Sequence, residues 1–122
     1  MLPRQHRLNK SAELRHVLRR GRRFAIPQAV ITVVITGEDH SSRLGLITPK
    51  VVGNSVVRHG VARAIRHAGA AVIKTNPSGF DIAVRALAGS SDLSVAQWQD
   101  VIQKAVNKAV AASSVSTNDV VL

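Results

Sequence analysis

Apolar positions along the chain keep two rhythms. Leu14, Val17 and Leu18 recur at helical spacing, which predicts a helix over residues 12–20. Ser11 stands where an N-cap belongs, Arg19 and Arg20 suit the C-terminal dipole, and Gly21 suits a left-handed closing position. The rhythm then changes to that of strands: Arg22 to Ile26 before Pro27, the β-branched run over 30–36, and a further strand over 44–48. The polar link Gly37-Glu38-Asp39-His40-Ser41-Ser42 has hairpin length, so the last two of these strands are expected to pair antiparallel.

Pro49 and Gly53 end that strand, and Asn54 is a good N-cap for a helix running to about His67 or Lys74. Counting about 100° per residue from Arg58, residues Arg66, His59 and Arg63 fall within roughly 80–140°. Val57, Val61, Ala64, Ile65 and Ala68 fall within roughly 240–340°. One flank is thus fit for burial and the other for guanidinium groups. Gly60 interrupts this helix at a cost of about 1 kcal/mol relative to alanine, so packing of Val57, Val61 and Ile65 must hold it. Asn76-Pro77-Ser78-Gly79 reads as a turn and Phe80 to Ala86 as a strand. Ser94 with Gln97 forms a capping box, Leu93 can staple onto Trp98, and Val95, Trp98, Val101, Ile102, Ala105, Val106 and Ala109 keep one face of a last helix. The pattern predicts an α+β fold, a two-layer α-β sandwich in the order helix-strands-helix-strand-helix. A single domain over residues 1–112 begins with an extended or mobile basic arm (1–10) and is followed by a flexible tail (113–122).

The 122 residues suffice for one core. With Phe24, Phe80 and Trp98 as the only aromatics, that core must be built from Val, Ala, Ile and Leu. The absence of cysteine excludes a disulfide frame, a zinc knuckle and a thiol nucleophile. No N-terminal apolar run has the length of a signal-peptide core, and the aliphatic stretch 29–35 is too short to span a bilayer. A cytoplasmic protein without membrane contact or an obligate protein partner is expected.

Net charge changes the picture most. At +10 the chain suits a polyanionic partner. Residues 1–74 hold fourteen Lys and Arg against Glu13, Glu38 and Asp39, whereas residues 75–122 hold Arg85, Lys104 and Lys108 against four Asp. Eight of the basic residues precede Phe24: Arg4, Arg7, Lys10, Arg15, Arg19, Arg20, Arg22 and Arg23. Arginine suits phosphate because its planar fork donates paired hydrogen bonds and stays charged. The five histidines do not form a nuclease constellation: His59 and His67 lie eight residues apart, His6 and His16 belong to the arm and first helix, and His40 to a turn. No metal-ligand spacing recurs. Trp98 and Phe80 sit at core-facing positions, which excludes the aromatic-platform RNA-recognition modules.

The residues also carry a resemblance. Gly53-Asn54-Ser55-Val56-Val57-Arg58, followed by Val61, Arg63, Ile65 and Arg66, resembles the signature helix of the bacterial ribonuclease P protein component. Where that pattern has Asn-Arg this chain has His59-Gly60, and where it has Lys and a further Arg it has Ala62 and Ala64, so the signature is degenerate. Arg7-Leu8, the basic first helix closing at Gly21, Leu44-Gly45-Leu46 leading through Lys50, and Asp81-Ile82-Ala83-Val84-Arg85 follow in family order. The resemblance implies a left-handed βαβ crossover around the signature helix, an exception to the usual handedness.

It also implies a function. The chain would be the protein subunit of ribonuclease P, binding the catalytic RNA subunit and the 5′ leader of precursor tRNA, with magnesium held by the RNA and substrate. The protein itself would supply no catalytic side chain and no metal ligand. Carried over by position, Lys50, Asn54, Arg58, His59, Arg63 and Arg66 would face RNA. Arg7, Lys10, Leu14, Arg15, Leu18, Arg22 and Arg23 would line the leader cleft, with Leu14 and Leu18 where the family commonly places aromatics. The competing readings are a general basic RNA-binding or ribosome-associated protein, and a self-sufficient nuclease using histidines.

Overall fold

The computed structural model describes residues 2–36 and 41–121, with side chains described through residue 112. Helix α1 (Ser11–Arg20) leads into strands β1 (Arg22–Ile26), β2 (Ala29–Ile35) and β3 (Arg43–Ile47). Helix α2 (Ser55–Thr75), strand β4 (Phe80–Ala86) and helix α3 (Val95–Val121) complete the chain. The four strands form one sheet in the order β1-β2-β4-β3, with β3 and β4 parallel and the other pairs antiparallel.

That order corrects the expected hairpin. β2 and β3 do run in opposite directions, but β4 lies between them, Ile31 facing Val84 on one side and Leu46 facing Val84 on the other. The reason is burial: every β4 residue from Asp81 to Val84 is buried, and only a central strand is covered on both faces. The link over 37–42 then needs to span two strand spacings, about 10 Å, which a six-residue chain easily reaches. Most of the expected turn, including His40, lies outside the described residues. Ser42 ties this corner to the start of β4: its Oγ donates to the Asn76 carbonyl at 2.7 Å and accepts from Phe80 N–H at 3.3 Å.

Alternation along the strands separates two cores. Ile31, Val33, Leu44, Ile82, Val84 and Ala86 point to one face, where they meet Val61, Ile65, Val72, Trp98, Ile102 and Val106 of α2 and α3. Ala83 points to the other face, where it packs with Val17 of α1 and Leu8, bordered by Leu14, Leu18 and Val34. Trp98 is fully buried, as its helical position requires.

Local capping follows the sequence in two helices and departs from it in one. Asn54 Oδ1 accepts from Val57 N–H at 3.0 Å, and Ser94 and Gln97 exchange bonds of 3.1 and 2.8 Å. Ser11, however, is the first residue of α1; Lys10 is its N-cap and no side chain caps it. Gly21 closes α1 with φ −78°, not in the left-handed region. It must be glycine for space, because a Cβ there would overlap the Thr32 methyl and approach Val17 O to 2.8 Å.

The arm, expected to be extended or mobile, lies docked against the β3 edge. Leu2 and Leu8 are buried, Arg7 bridges to Leu44 in parallel register, and Leu8 N–H donates to Leu44 O at 2.9 Å. Two leucines at a spacing of six inside a basic segment anchor it to the β3 edge, where unpaired strand groups await partners. At the other end, α3 continues to Val121 across the boundary expected at residue 113; the side chains of that stretch lie outside the described residues.

Candidate nucleic-acid interface

Helix α2 is amphipathic as its spacing demands. Val61, Ile65, Ala68, Val72 and Ile73 are buried, while His59, Gly60, Arg63, Arg66 and His67 are exposed. Arg58 is half-buried, and its Nε donates to Thr48 O at 2.9 Å. That bond uses one of five donors and leaves the two terminal nitrogens aimed by a fixed stem. Lys50 is exposed in the short 3-10 turn before the helix, and Asn54 is exposed but engaged as the cap. Among the described residues Lys50, Arg58, Arg63 and Arg66 have no ion-pair partner, so no described carboxylate neutralises this face.

The departures from the signature divide in two. Ala62 is buried at the floor of a groove of about 220 Å³ lined by Leu46, Thr48, Ser55, Arg58, His59 and Arg66. Ala64 packs against the main core. Only His59 and Gly60 alter the outward face. Leu46 and Arg66 are shared with a cleft of about 480 Å³ along the β3 edge, whose walls include Leu2, Arg7, Leu8, Leu14 and Gly45. Gly45 is needed there, because a Cβ would approach Leu8 O to 2.5 Å.

A second surface lies on the α1 side of the sheet. Cross-strand register aligns Ala25, Val30, Arg85 and Ile47 in one row across all four strands. None of the four is buried, and Arg85 and Ala25 are exposed. The neighbouring rows are occupied by α1, fixed at Glu13 through Arg43. Arg43 Nη1 donates to Glu13 Oε2 at 2.6 Å, while its Nε and Nη2 grip Asp81 Oδ1 and Oδ2 at 2.9 and 2.8 Å. The Asp81 hydrogen bonds, opposed by burial and aided by Glu13, push the Arg43 pKa further up. The flank of α1 opposite Glu13 carries Ser11, Arg15 and Leu18 by helical spacing.

The expected cleft residues are therefore only partly assembled. Leu14 lines the β3-edge cleft, Arg15 and Leu18 lie by helical spacing on the flank of α1 opposite Glu13, and Arg23 shares the face of the open row by alternation on β1. Arg7 lies at the β3-edge cleft, its Nε donating to Leu2 O at 3.0 Å, and Lys10 stands exposed at the start of α1. Arg22 alternates to the opposite face, on the far edge of the sheet. Arg85, Val30 and Ile47 were not among the candidates. The one cation of a central strand whose other residues, Asp81 apart, are apolar is the signal that marks Arg85.

Among the described residues the histidines do not converge: His6 Nδ1 lies 2.6 Å from Ser42 O, His16 is on α1, and His59 and His67 are two turns apart on α2. Among the described residues no three His, Cys, Asp or Glu side chains are placed to hold a metal ion. No helix among them is long and apolar enough to cross a membrane.

Fold and surface together define a small basic RNA-binding protein of mixed α+β architecture. A family model described as Ribonuclease P matches residues 2–110. The ribonuclease P protein component of Mycolicibacterium gilvum is 33% identical over 120 residues, covering 97% of both chains. That of Corynebacterium glutamicum is 33% identical over 135 residues, covering 97% of this chain and 99% of the relative. The solved RNase P protein of Staphylococcus aureus superposes with a TM-score of 0.70 at 29% identity, covering 85% of this chain and 94% of that one. The Thermotoga maritima RNase P protein shares the fold, with a TM-score of 0.62 at 20% identity over 80% of this chain and 96% of that one.

The chain belongs to the ribonuclease P protein family. Its function is that of a subunit in the RNA–protein endoribonuclease that matures the 5′ end of tRNA, and its partner is the ribonuclease P RNA.

Proposed function

We propose that the two basic surfaces divide the labour between two RNAs. The outward face of α2, with Lys50, Arg58, His59, Arg63 and Arg66 and with Asn54 setting its entry, holds the catalytic RNA. The open row on the α1 side of the sheet takes the single-stranded 5′ leader of precursor tRNA. A single strand suits that row because it is narrow, partly apolar and ringed by Arg15, Arg23 and Arg85, matching bases against Val30, Ile47 and Leu18 and phosphates against the guanidinium groups. The observation that carries this reading is the uncovered Ala25–Val30–Arg85–Ile47 row beside a helix clamped on its other flank.

Hydrolysis belongs to the RNA in this reading. Glu13 and Asp81, the described carboxylates on the α1 side of the sheet, are both engaged by Arg43, so these donors do not suit a magnesium centre, and magnesium is assigned to the RNA and substrate. The protein's task is to bind and position in the cytoplasm, with phosphate neutralisation reducing the demand for free cations. The test is the affinity of the reconstituted RNA–protein complex for precursor tRNA with and without its leader. Arg85→Ala and Arg23→Ala should weaken the leader-bearing substrate by about tenfold or more, the scale of a charged hydrogen bond, and leave the leaderless one unchanged. Equal losses on both substrates would reject the assignment, and Arg22→Ala serves as the control on the opposite face.

A further inference from the structure

Two residues on the outermost face of α2 have no explanation inside the chain. Val56 is 80% exposed. One turn later stands Gly60, exposed, with open space around the position a Cβ would take and no positive φ to require glycine. Packing gains nothing from this glycine and the helix is weakened by it. Residues four apart share a helix face, so Val56 and Gly60 form one low uncharged strip. It is bordered by the exposed His59 and Arg63 and preceded by Lys50 and the exposed Val51. A surface made only to track phosphates would carry cations at these two positions as well.

We propose that this strip seats the ribose edge of an A-form segment of the catalytic RNA and reads its 2′-hydroxyls, which rests on the reading that α2 faces that RNA. The chemistry fits. An A-form helix presents a wide, shallow minor groove lined by riboses and 2′-hydroxyls, and a low strip with basic side chains along one border can lie in it. Val56 packs on sugar C–H groups. In a helix the carbonyl of residue i is bordered by the side chains of i+3 and i+4, so the missing Cβ at Gly60 uncovers the Val56 carbonyl. That oxygen bonds within the helix through one lone pair and accepts a 2′-hydroxyl through the other. Arg63 and His59 meet the phosphates along one side of the strip.

The inference sets stability against binding. In the free protein Gly60→Ala should raise the Tm by about 4 °C, whereas in the reconstituted complex it should weaken the catalytic RNA about fivefold to tenfold, the scale of one hydrogen bond with its contacts. Gly60→Arg should also weaken it, despite the added charge. Interference mapping with 2′-deoxynucleotides in the catalytic RNA should show a discrete interference position with the wild-type chain that vanishes with Gly60→Ala. Unchanged or tighter binding by Gly60→Ala, tighter binding by Gly60→Arg, or an interference pattern indifferent to the substitution overturns the proposal while leaving the placement of α2 intact. A wild-type chain that does not prefer the catalytic RNA over an unrelated structured RNA overturns that placement and the proposal with it.

Discussion

Replacing Arg43 by methionine removes the one charge that joins α1, β3 and β4 while keeping much of its stem. The Asp81 side chain is 8% exposed and that of Arg43 25%, so the substitution strands a carboxylate that water scarcely reaches. Losing one partner of a fully buried pair costs about 3–5 kcal/mol. Solvent around Arg43 screens part of that, which brings the expected loss to about 2–3 kcal/mol. The Glu13 contact contributes less than about 1 kcal/mol, because Glu13 is itself 37% exposed. Against a total of about 5–15 kcal/mol for a domain, the loss is large but leaves a folded protein. Urea unfolding followed by fluorescence of Trp98, the single and fully buried tryptophan, measures it directly. Arg43→Met, Asp81→Asn and the double variant form a cycle in which the double should lose clearly less than the sum. The same substitution frees the Glu13 flank of α1, so leader-bearing precursor tRNA should be bound more weakly at temperatures where the variant is folded. A loss below about 0.5 kcal/mol, or simple additivity in the cycle, would refute the clamp.

Other substitutions probe separate parts of the account. Asn54→Ala should cost about 1 kcal/mol in thermal unfolding followed by circular dichroism, as expected for a lost N-cap; an unchanged Tm contradicts the capping role. Alanine at Arg58, Arg63 or Arg66 should each reduce the slope of log affinity against log salt for the catalytic RNA by roughly 0.7–0.9, and an unaltered slope means that the side chain meets no phosphate. Leu18→Phe places an aromatic ring beside the open row, where stacking is worth about 1–3 kcal/mol per base. It should tighten leader-bearing substrate alone, and an equal gain on leaderless tRNA would speak against a leader in that row.

How much of this was legible in the sequence depends on the range over which each feature is encoded. α2 and its two flanks follow from the local spacing of Val57, Val61, Ile65 against Arg58, Arg63 and Arg66, and the Asn54 and Ser94–Gln97 caps from residues within one turn. Strand neighbours are set by competition for the interior. β4 wins the centre because Ile82 and Val84 face one layer while Ala83 faces the other, a property weighed only when all strands are compared. The docking of the arm is hard to see in the sequence because its charge is conspicuous, whereas Leu2 and Leu8, which anchor it, are only two residues among basic ones. The Glu13–Arg43–Asp81 clamp joins positions separated by 30 and 38 residues, with no local pattern to announce it. Arg85 was visible as a strand residue, but its place in an uncovered cross-strand row needed the register.

The central claim is that this chain makes ribonuclease P RNA work on precursor tRNA without supplying catalytic groups. Precursor-tRNA cleavage by that RNA at low magnesium, with and without the protein, tests it most directly. The account predicts that the protein restores accurate 5′ cleavage where the RNA alone is slow, that the protein alone cleaves nothing, and that combining Arg58→Ala, Arg63→Ala and Arg66→Ala abolishes the stimulation. Cleavage by the protein alone, or an RNA reaction indifferent to its presence, would contradict it.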